Sequence, residues 1–166
     1  MAHELDPQQK KVALRAINYG LYVLTAVEGG EYGAAGINWL TQASFDPPLI
    51  AAGVKADSDS HRIIGSTGAF AVNVLGEDQF EIGKAFFRTT TVEGDTLNGY
   101  RFEPGPVTGA PLLVDLPWWF EARVTDTVDR GDHTLFVAEV VSAGVRDGGE
   151  DEVPLVLRST GLNYGG

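Results

Sequence analysis

Two long segments near the end of the chain, separated by a three-residue turn, constrain the fold more than any other feature. PWWFEARVTDTVD (117–129) places Glu121 and Arg123 on one face of an extended chain, because successive side chains of a strand point to opposite sides. After RGD (130–132), HTLFVAEVVSAGV (133–145) runs back with many β-branched residues. The pattern predicts a long antiparallel hairpin, around which the remaining strands must assemble.

Further apolar and β-branched segments predict additional strands, so that the chain contains six or seven. These segments are LYVLTAV (21–27), AAGINWLTQASF (34–45), LIAAGV (49–54), AFAVNVL (69–75) and VPLVLR (153–158). Because most of them follow one another through hairpin turns, such as EGGEYG (28–33), we predict a mainly β fold: an antiparallel barrel with helices on its outside.

Three segments predict the peripheral helices. The first begins at Asp6-Pro7 and ends near Gly20, and its apolar residues Val12, Leu14 and Ile17 are expected to face a core. The second and third helices are predicted over 57–68 and 77–87. The stretch from Arg88 to Pro111 has little periodicity and is expected to cross the surface as a long excursion.

Length and charge limit the classes of partner. A chain of 166 residues predicts one domain, residues 1–166. The net charge of −11 argues against nucleic acid and anionic membranes as partners. The beginning of the chain, MAHELDPQQKK, lacks the apolar core of a signal peptide, and no apolar run reaches the ~20 residues that span a bilayer. We therefore expect a cytoplasmic protein.

Several kinds of catalytic site are not favoured by the sequence. The chain has no cysteine, which excludes disulfides and thiolate catalysis. Its three histidines, His3, His61 and His133, do not show metal-ligand spacing, so no metal is expected. There is no G-x-S-x-G motif, and GAAG (33–36) is too short for a dinucleotide-binding loop.

The first candidate binding segment is GINWLTQASFDPPL (36–49), which carries neutral polar side chains within an otherwise apolar strand. Asn38, Thr41, Gln42 and Ser44 offer hydrogen-bond donors and acceptors without charge. This inventory suits the edge of a polar heterocycle. The alternative is that backbone groups or water satisfy each of these side chains at the ends of strands.

The second candidate is KADSDSHR (55–62), at the junction between a strand and a helix. Lys55, Ser58, Ser60, His61 and Arg62 gather there, and hydroxyls with free N–H groups at a helix N-terminus bind anions. The pattern favours a phosphate site. Simple capping of the helix by a serine or aspartate is the alternative interpretation.

Two more residues are candidates. Asn73 lies inside the apolar strand FAVNVL (70–75), where its amide needs partners from neighbouring loops or from a ligand. His133 follows a tight turn, as either a solvent-facing histidine or a group that meets a second substrate at the mouth of a pocket.

Several segments, taken in order, resemble the flavin reductase-like, FMN-binding split-barrel family. They are YGLYVLTA (19–26), GINWLTQASFDPPLIAAGVKADSDSH (36–61), GAFAVNVL (68–75) with Gln79, GAPLL (109–113) and GDHTLFVAEVV (131–141). The resemblance implies a six-stranded antiparallel Greek-key split β-barrel with peripheral helices, working as a homodimer, with FMN or less often FAD bound.

The same resemblance implies roles for residues of this chain. The isoalloxazine ring and ribityl chain would lie along Asn38, Trp39, Leu40, Thr41, Gln42, Ala43 and Ser44, where Trp39 either stacks near the flavin or packs. The flavin phosphate would be held by Lys55, Ser58, Ser60 and His61, with Arg62 as the rival cation to Lys55. Phe70 and Asn73 are assigned to the same cofactor site, and His133 to a catalytic position near the nicotinamide.

The function implied is hydride transfer from NADH or NADPH to the flavin, which then supplies reduced flavin or electrons to a monooxygenase or another redox partner. Two alternatives stay open. One is an electron carrier resembling flavoredoxin, with permanently bound FMN. The other is a barrel that binds a small molecule without catalysis.

Overall fold

A computed structural model describes residues 4–166 of the chain, so that His3 lies outside the described residues. The helices are α1 (Pro7–Arg15), α2 (Asp59–Thr67) and α3 (Phe80–Lys84). The strands are β1 (Tyr22–Glu28), β2 (Glu31–Ile37), β3 (Leu40–Ser44), β4 (Leu49–Lys55), β5 (Ala69–Val74), β6 (Val92–Glu93), β7 (Thr96–Leu97), β8 (Tyr100–Pro104), β9 (Pro111–Leu113), β10 (Trp118–Asp129) and β11 (His133–Val145). Two 3₁₀ turns span Gly149–Asp151 and Leu157–Thr160.

The predicted hairpin is present as β10 and β11, paired from Asp129 opposite Thr134 to Trp118 opposite Val145. It stands inside a seven-stranded antiparallel sheet of order β2-β1-β5-β10-β11-β4-β3. The predicted return strand 34–45 is divided into β2 and β3, because the chain bends at Asn38-Trp39. There the Asn38 amide donates to the carbonyl of Gly20 at 3.0 Å.

The sheet curls around one core. Buried residues from opposite ends of the strand order share a single apolar cluster: Ile37 of β2 lies in the same cluster as Ile50 of β4, Phe70 of β5 and Phe136 of β11. A flat sheet could not bring its two edges into one core, so the sheet forms a barrel. The mainly β, antiparallel barrel with peripheral helices is therefore confirmed.

The helices agree with the sequence in part. Asp6 caps α1 by accepting from the backbone N–H groups of Gln8 and Gln9, both at 2.9 Å. The expectation that Val12, Leu14 and Ile17 face a core is wrong within the described residues, since all three are exposed and α1 buries no residue. The helix α2 agrees with its predicted span, whereas α3 is shorter than predicted. No helix in the part of the chain described here has the length and apolarity to cross a membrane.

The stretch 88–111 is more regular than its sequence predicts. It forms a small sheet of order β6-β7-β8-β9, whose strands contain two to five residues and are too short to produce a periodic pattern. The predicted strand 153–158 does not form a continuous strand. Instead, Pro154 and Val156 make isolated bridges to Gly76 and Gly20.

Asn73 joins this small sheet to the barrel from a fully buried position. Its Nδ2 donates to the carbonyl oxygens of Val23 at 3.2 Å and Pro111 at 3.3 Å, and its Oδ1 accepts from the N–H of Leu113 at 2.8 Å. The amide's donors and acceptor are thus paired with backbone groups of β1 and β9, which is what a buried amide requires.

We expect Asn73→Ala to lower the free energy of unfolding by about 1–3 kcal/mol, because the buried N–H of Leu113 loses its side-chain acceptor, while the carbonyl of Pro111 still accepts from Thr25. Urea titration followed by fluorescence measures the change. Thr41→Ala is the control, since this exposed hydroxyl only donates to the neighbouring carbonyl of Gln42. A loss no larger than that of the control would contradict the bridging role.

Candidate functional site

A cleft of about 670 Å³ opens beside the barrel, where several chain segments meet. Its walls come from the end of β2 and the bend after it (34–39), the end of β4 and the start of α2 (53–55 and 57–60), and the segment after α3 (86–90). His133, Leu157 and residues 162–164 complete it. The volume is in the range of sites for small organic ligands.

The pairing of β4 with β11 positions two of these residues. Lys55 is the last residue of β4 and lies directly opposite His133, the first residue of β11. The chain leaves β4 at this point and turns into α2. A cation, a histidine and a helix N-terminus therefore meet at one end of the barrel.

The N-terminus of α2 faces the cleft and is capped by Ser58. The Ser58 hydroxyl accepts from the N–H of His61 at 3.1 Å and donates to the carbonyl of Lys55 at 2.8 Å. The first N–H groups of a helix, here those of Asp59 and Ser60, have no partner within the helix and favour anions. Capping by Ser58 and an anion site are compatible, because the cap uses only one N–H group.

The glycine at Gly33 lets α2 approach β2 closely. A Cβ at Gly33 would lie 2.9 Å from the Cα of Ser60, a distance that real Cβ atoms essentially never show. Without this glycine the first turn of α2, including the buried Ser60, could not occupy its present position.

Two cations line the cleft, and a third is held outside it. Lys55 lines the cleft and makes an exposed ion pair with Asp57 at 3.4 Å, which is worth little free energy in water. Arg88, in the segment after α3, also lines the cleft. Arg62 is instead bound to Glu31 and lies 3.6 Å from Asp59, and these carboxylates raise the pKa of its guanidinium.

An aromatic cluster lines the cleft around His133. The ring of Trp39 lies 4.4 Å from that of His133 and 5.1 Å from that of Tyr164, between centroids. His133 Nδ1 lies 2.8 Å from Asp132 Oδ1, and its Nε2 lies 2.9 Å from the Tyr164 hydroxyl. The hydrogen bond from His133 and the charge of that ring lower the pKa of Asp132, whereas burial raises the pKa of Tyr164.

The structure brings together some of the predicted site residues. Those that line the cleft are Asn38, Trp39, Lys55, Ser58, Ser60 and His133. The others lie elsewhere: Leu40, Thr41, Gln42, Ala43 and Ser44 on the edge strand β3, His61 against Thr134, Arg62 on the surface, and Phe70 and Asn73 fully buried in the barrel. Their binding roles stay predictions.

The sequence reasoning missed the segment after α3 and the segment 162–164. Arg88 had one available signal, a cation followed by three threonines in a stretch otherwise treated as an excursion. Tyr164 had none, because it lies in an irregular segment without periodic neighbours. Across residues 4–166, no group of three or more histidine or acidic side chains is arranged to hold a metal ion.

The family described as "Flavin reductase like domain" matches residues 14–165. The NADH-dependent flavin reductase StyB of Pseudomonas fluorescens is 32% identical over 145 residues, which are 87% of this chain and 82% of that protein. The high molecular weight rubredoxin of Moorella thermoacetica is 32% identical over 143 residues, covering 83% of this chain. The match covers only 61% of that longer relative.

A comparison with solved structures agrees with this family match. The NADH:FAD oxidoreductase SgcE6 of Streptomyces globisporus, in complex with NAD and FAD fragments, superposes with a TM-score of 0.76 at 26% sequence identity. The superposition covers 93% of this chain and 92% of that one.

We expect Gly33→Ala to destabilise the protein by about 1–3 kcal/mol, because the new methyl group forces the first turn of α2 away from β2. Urea titration measures the loss. Gly65→Ala in the same helix is the matched control: no atom lies within 4 Å of its added Cβ, and alanine favours helix by about 0.5–1 kcal/mol. Equal effects of the two substitutions would contradict the close-approach argument.

Proposed function

The chain belongs to the flavin reductase-like family, and we propose that it transfers hydride from NADH or NADPH to a flavin held in the cleft between α2 and the aromatic cluster. The observation that carries the proposal is the composition of this cleft. Its lining combines a helix N-terminus, Lys55 and Arg88, in a protein whose net charge is −11, with the rings of Trp39, His133 and Tyr164.

The residues present fit a flavin mononucleotide. Backbone N–H groups of α2, with Lys55 and Arg88, would hold the phosphate. Asn38 and Trp39 would lie along the isoalloxazine ring. The indole Nε1 of Trp39 is buried and has no acceptor among the described residues, which suits a donor reserved for a ligand. FMN is therefore the first candidate and FAD the alternative.

The chemistry itself belongs to the cofactors: a bound flavin accepts a hydride that the reduced nicotinamide supplies. The protein binds both, aligns them and keeps water out. His133 lines the cleft next to Lys55, its partner on the adjacent strand, and there it would contact the nicotinamide nucleotide. No paired acid and base is needed, and the neutral donors of the cleft are consistent with that.

An electron carrier with permanently bound FMN is the second candidate. The similarity to the high molecular weight rubredoxin of Moorella thermoacetica favours it. A carrier and a reductase differ in how fast a nicotinamide nucleotide reduces the bound flavin, so that one measurement separates them.

The proposal includes a homodimer and a redox partner in the cytoplasm, where reduced nicotinamide nucleotides are available. Large apolar side chains are exposed beside the cleft and on the barrel, including Phe87, Phe45 and Leu135. Apolar surface of this kind suits contact with another protein chain. A monooxygenase that consumes reduced flavin is the partner class that the reaction implies.

We expect the purified protein, mixed with FMN, to bleach the flavin absorbance within seconds of adding NADH or NADPH in a stopped-flow instrument under anaerobic conditions. Reduction slower than seconds, with FMN bound, would support the carrier. A protein that binds no flavin would support the non-catalytic barrel and contradict both redox functions.

We expect Lys55→Ala combined with Arg88→Ala to weaken FMN binding by about ten- to hundredfold, the range for hydrogen bonds to charged groups. Riboflavin binding should change little, because riboflavin lacks the phosphate. Fluorescence titration with the two flavins measures both affinities.

Arg62→Ala is the matched control, because it removes the same charge as Arg88→Ala from a guanidinium held outside the cleft by Glu31. If Arg62→Ala weakens FMN binding as much as Arg88→Ala does, the phosphate site is assigned to the wrong cation.

A further inference from the structure

The segment Leu162–Gly166, which we call the strap, runs beside the aromatic cluster of the cleft. Leu162, Asn163 and Tyr164 line the cleft. Outside it, the carbonyl oxygen of Gly165 accepts a hydrogen bond from Arg15 Nε at 3.1 Å, which joins the strap to the end of α1. The strap thus touches the cleft on one side and a surface helix on the other.

Within the strap, Tyr164 contacts His133 and Trp39, the two side chains that a ligand in this part of the cleft would meet. Its hydroxyl lies 2.9 Å from His133 Nε2, and its ring packs edge-on against Trp39. Because Asp132 already takes Nδ1, both ring nitrogens of His133 have protein partners. A ligand that meets His133 at Nε2 must therefore compete with Tyr164.

In the neutral form of the His133 ring, the Tyr164 hydroxyl is the donor of this hydrogen bond. The contact with His133 lowers the pKa of Asp132, so its carboxylate accepts from Nδ1–H. In the neutral ring Nε2 is then an acceptor. Burial raises the pKa of Tyr164, which keeps its hydroxyl protonated and able to donate.

We propose that Tyr164 is a gate for the nicotinamide nucleotide: it covers His133 and Trp39 in the resting protein and leaves them when the nucleotide binds. The proposal rests on the proposed function, because it takes the nucleotide as the ligand that meets His133. It adds that the affinity of the wild-type protein for the nucleotide is reduced by the free energy needed to displace the strap. This is expected when only a fraction of the protein is in the conformation that can bind the ligand.

The strap is held most closely at its last two residues, where Gly165 lies beside Trp39 and Gly166 beside Lys11 and Arg15. The side chain of Tyr164 keeps 40% of its surface exposed, and Leu162 is also exposed. Within residues 4–166, its hydrogen bonds to the rest of the chain are those of Tyr164 with His133, Gly165 with Arg15, and Leu162 with Thr160. Segments with few buried contacts open locally at low free-energy cost.

Hydrogen–deuterium exchange of the FMN-loaded protein, with and without saturating NAD⁺, tests the movement directly. We expect the peptide that contains the strap to exchange faster when NAD⁺ is bound, while peptides from β10 stay unchanged. Slower or unchanged exchange of the strap, with NAD⁺ bound, would overturn the gate and leave the proposed function intact. Failure to bind any nicotinamide nucleotide would overturn both.

Tyr164→Phe tests the competition at Nε2. It removes the hydroxyl and keeps the ring against Trp39, so we expect KM for NADH to fall by about two- to tenfold, the effect of one hydrogen bond, with a smaller change in kcat. A higher KM would mean that Tyr164 binds the nucleotide itself and would overturn the gate. An unchanged KM would overturn it as well.

Two further variants test whether the change in KM comes from a general effect on the structure. Tyr32→Phe is the matched control, because Tyr32 packs against Phe102 away from the cleft and should leave KM unchanged. Arg15→Gln weakens the anchor of Gly165 without touching His133 and should shift strap exchange and KM in the same direction as Tyr164→Phe. Opposite shifts in the two strap variants would contradict the gate.

Discussion

The antiparallel pairing of β4 with β11 is the contact on which the rest of the site depends. It sets Lys55 opposite His133 and ends β4 where α2 must begin. A one-residue slip in this register would turn each side chain of one strand to the other face. Register is strongly specified here, because Ile50, Val54 and Phe136 from the two strands bury their side chains in the same core.

A second constraint is the close approach of α2 to β2 at Gly33. It brings the N-terminus of α2 to the cleft wall. Arg62 lies two positions after Ser60 in the same helix and reaches outward to Glu31. Of the three cations in this region, Lys55 and Arg88 therefore line the cleft, whereas Arg62 ties α2 to the barrel surface. The acidic surface leaves few positive charges, so their placement decides where an anion can bind.

The sequence predicted the parts of the fold whose patterns are long. The hairpin over 117–145 agrees to within a residue with β10 and β11, because both strands are long enough for alternation to be visible. The split of 34–45 was not predictable from periodicity, since it depends on a contact of Asn38 with Gly20, eighteen positions away. The face of α1 was misjudged for a similar reason: its contacts with Gly165 and Arg158 are made through Arg15, and its apolar side chains stay exposed.

The candidate site shows the same limit. Asn38, Trp39, Lys55, Ser58, Ser60 and His133 come from motifs that could be recognised locally, and the cleft gathers them. Arg88 and Tyr164 reach it from irregular segments, whose course depends on tertiary contacts rather than on local preference. Asn73 had the right signal, a polar group in an apolar strand, and its partners are the backbone groups of neighbouring strands.

The position of Trp39 has a practical consequence. Its indole lies against His133 and Tyr164 at the cleft, whereas the other two tryptophans, Trp118 and Trp119, belong to the barrel strand β10. Trp39 is therefore a built-in fluorescent reporter in direct contact with whatever occupies this part of the cleft.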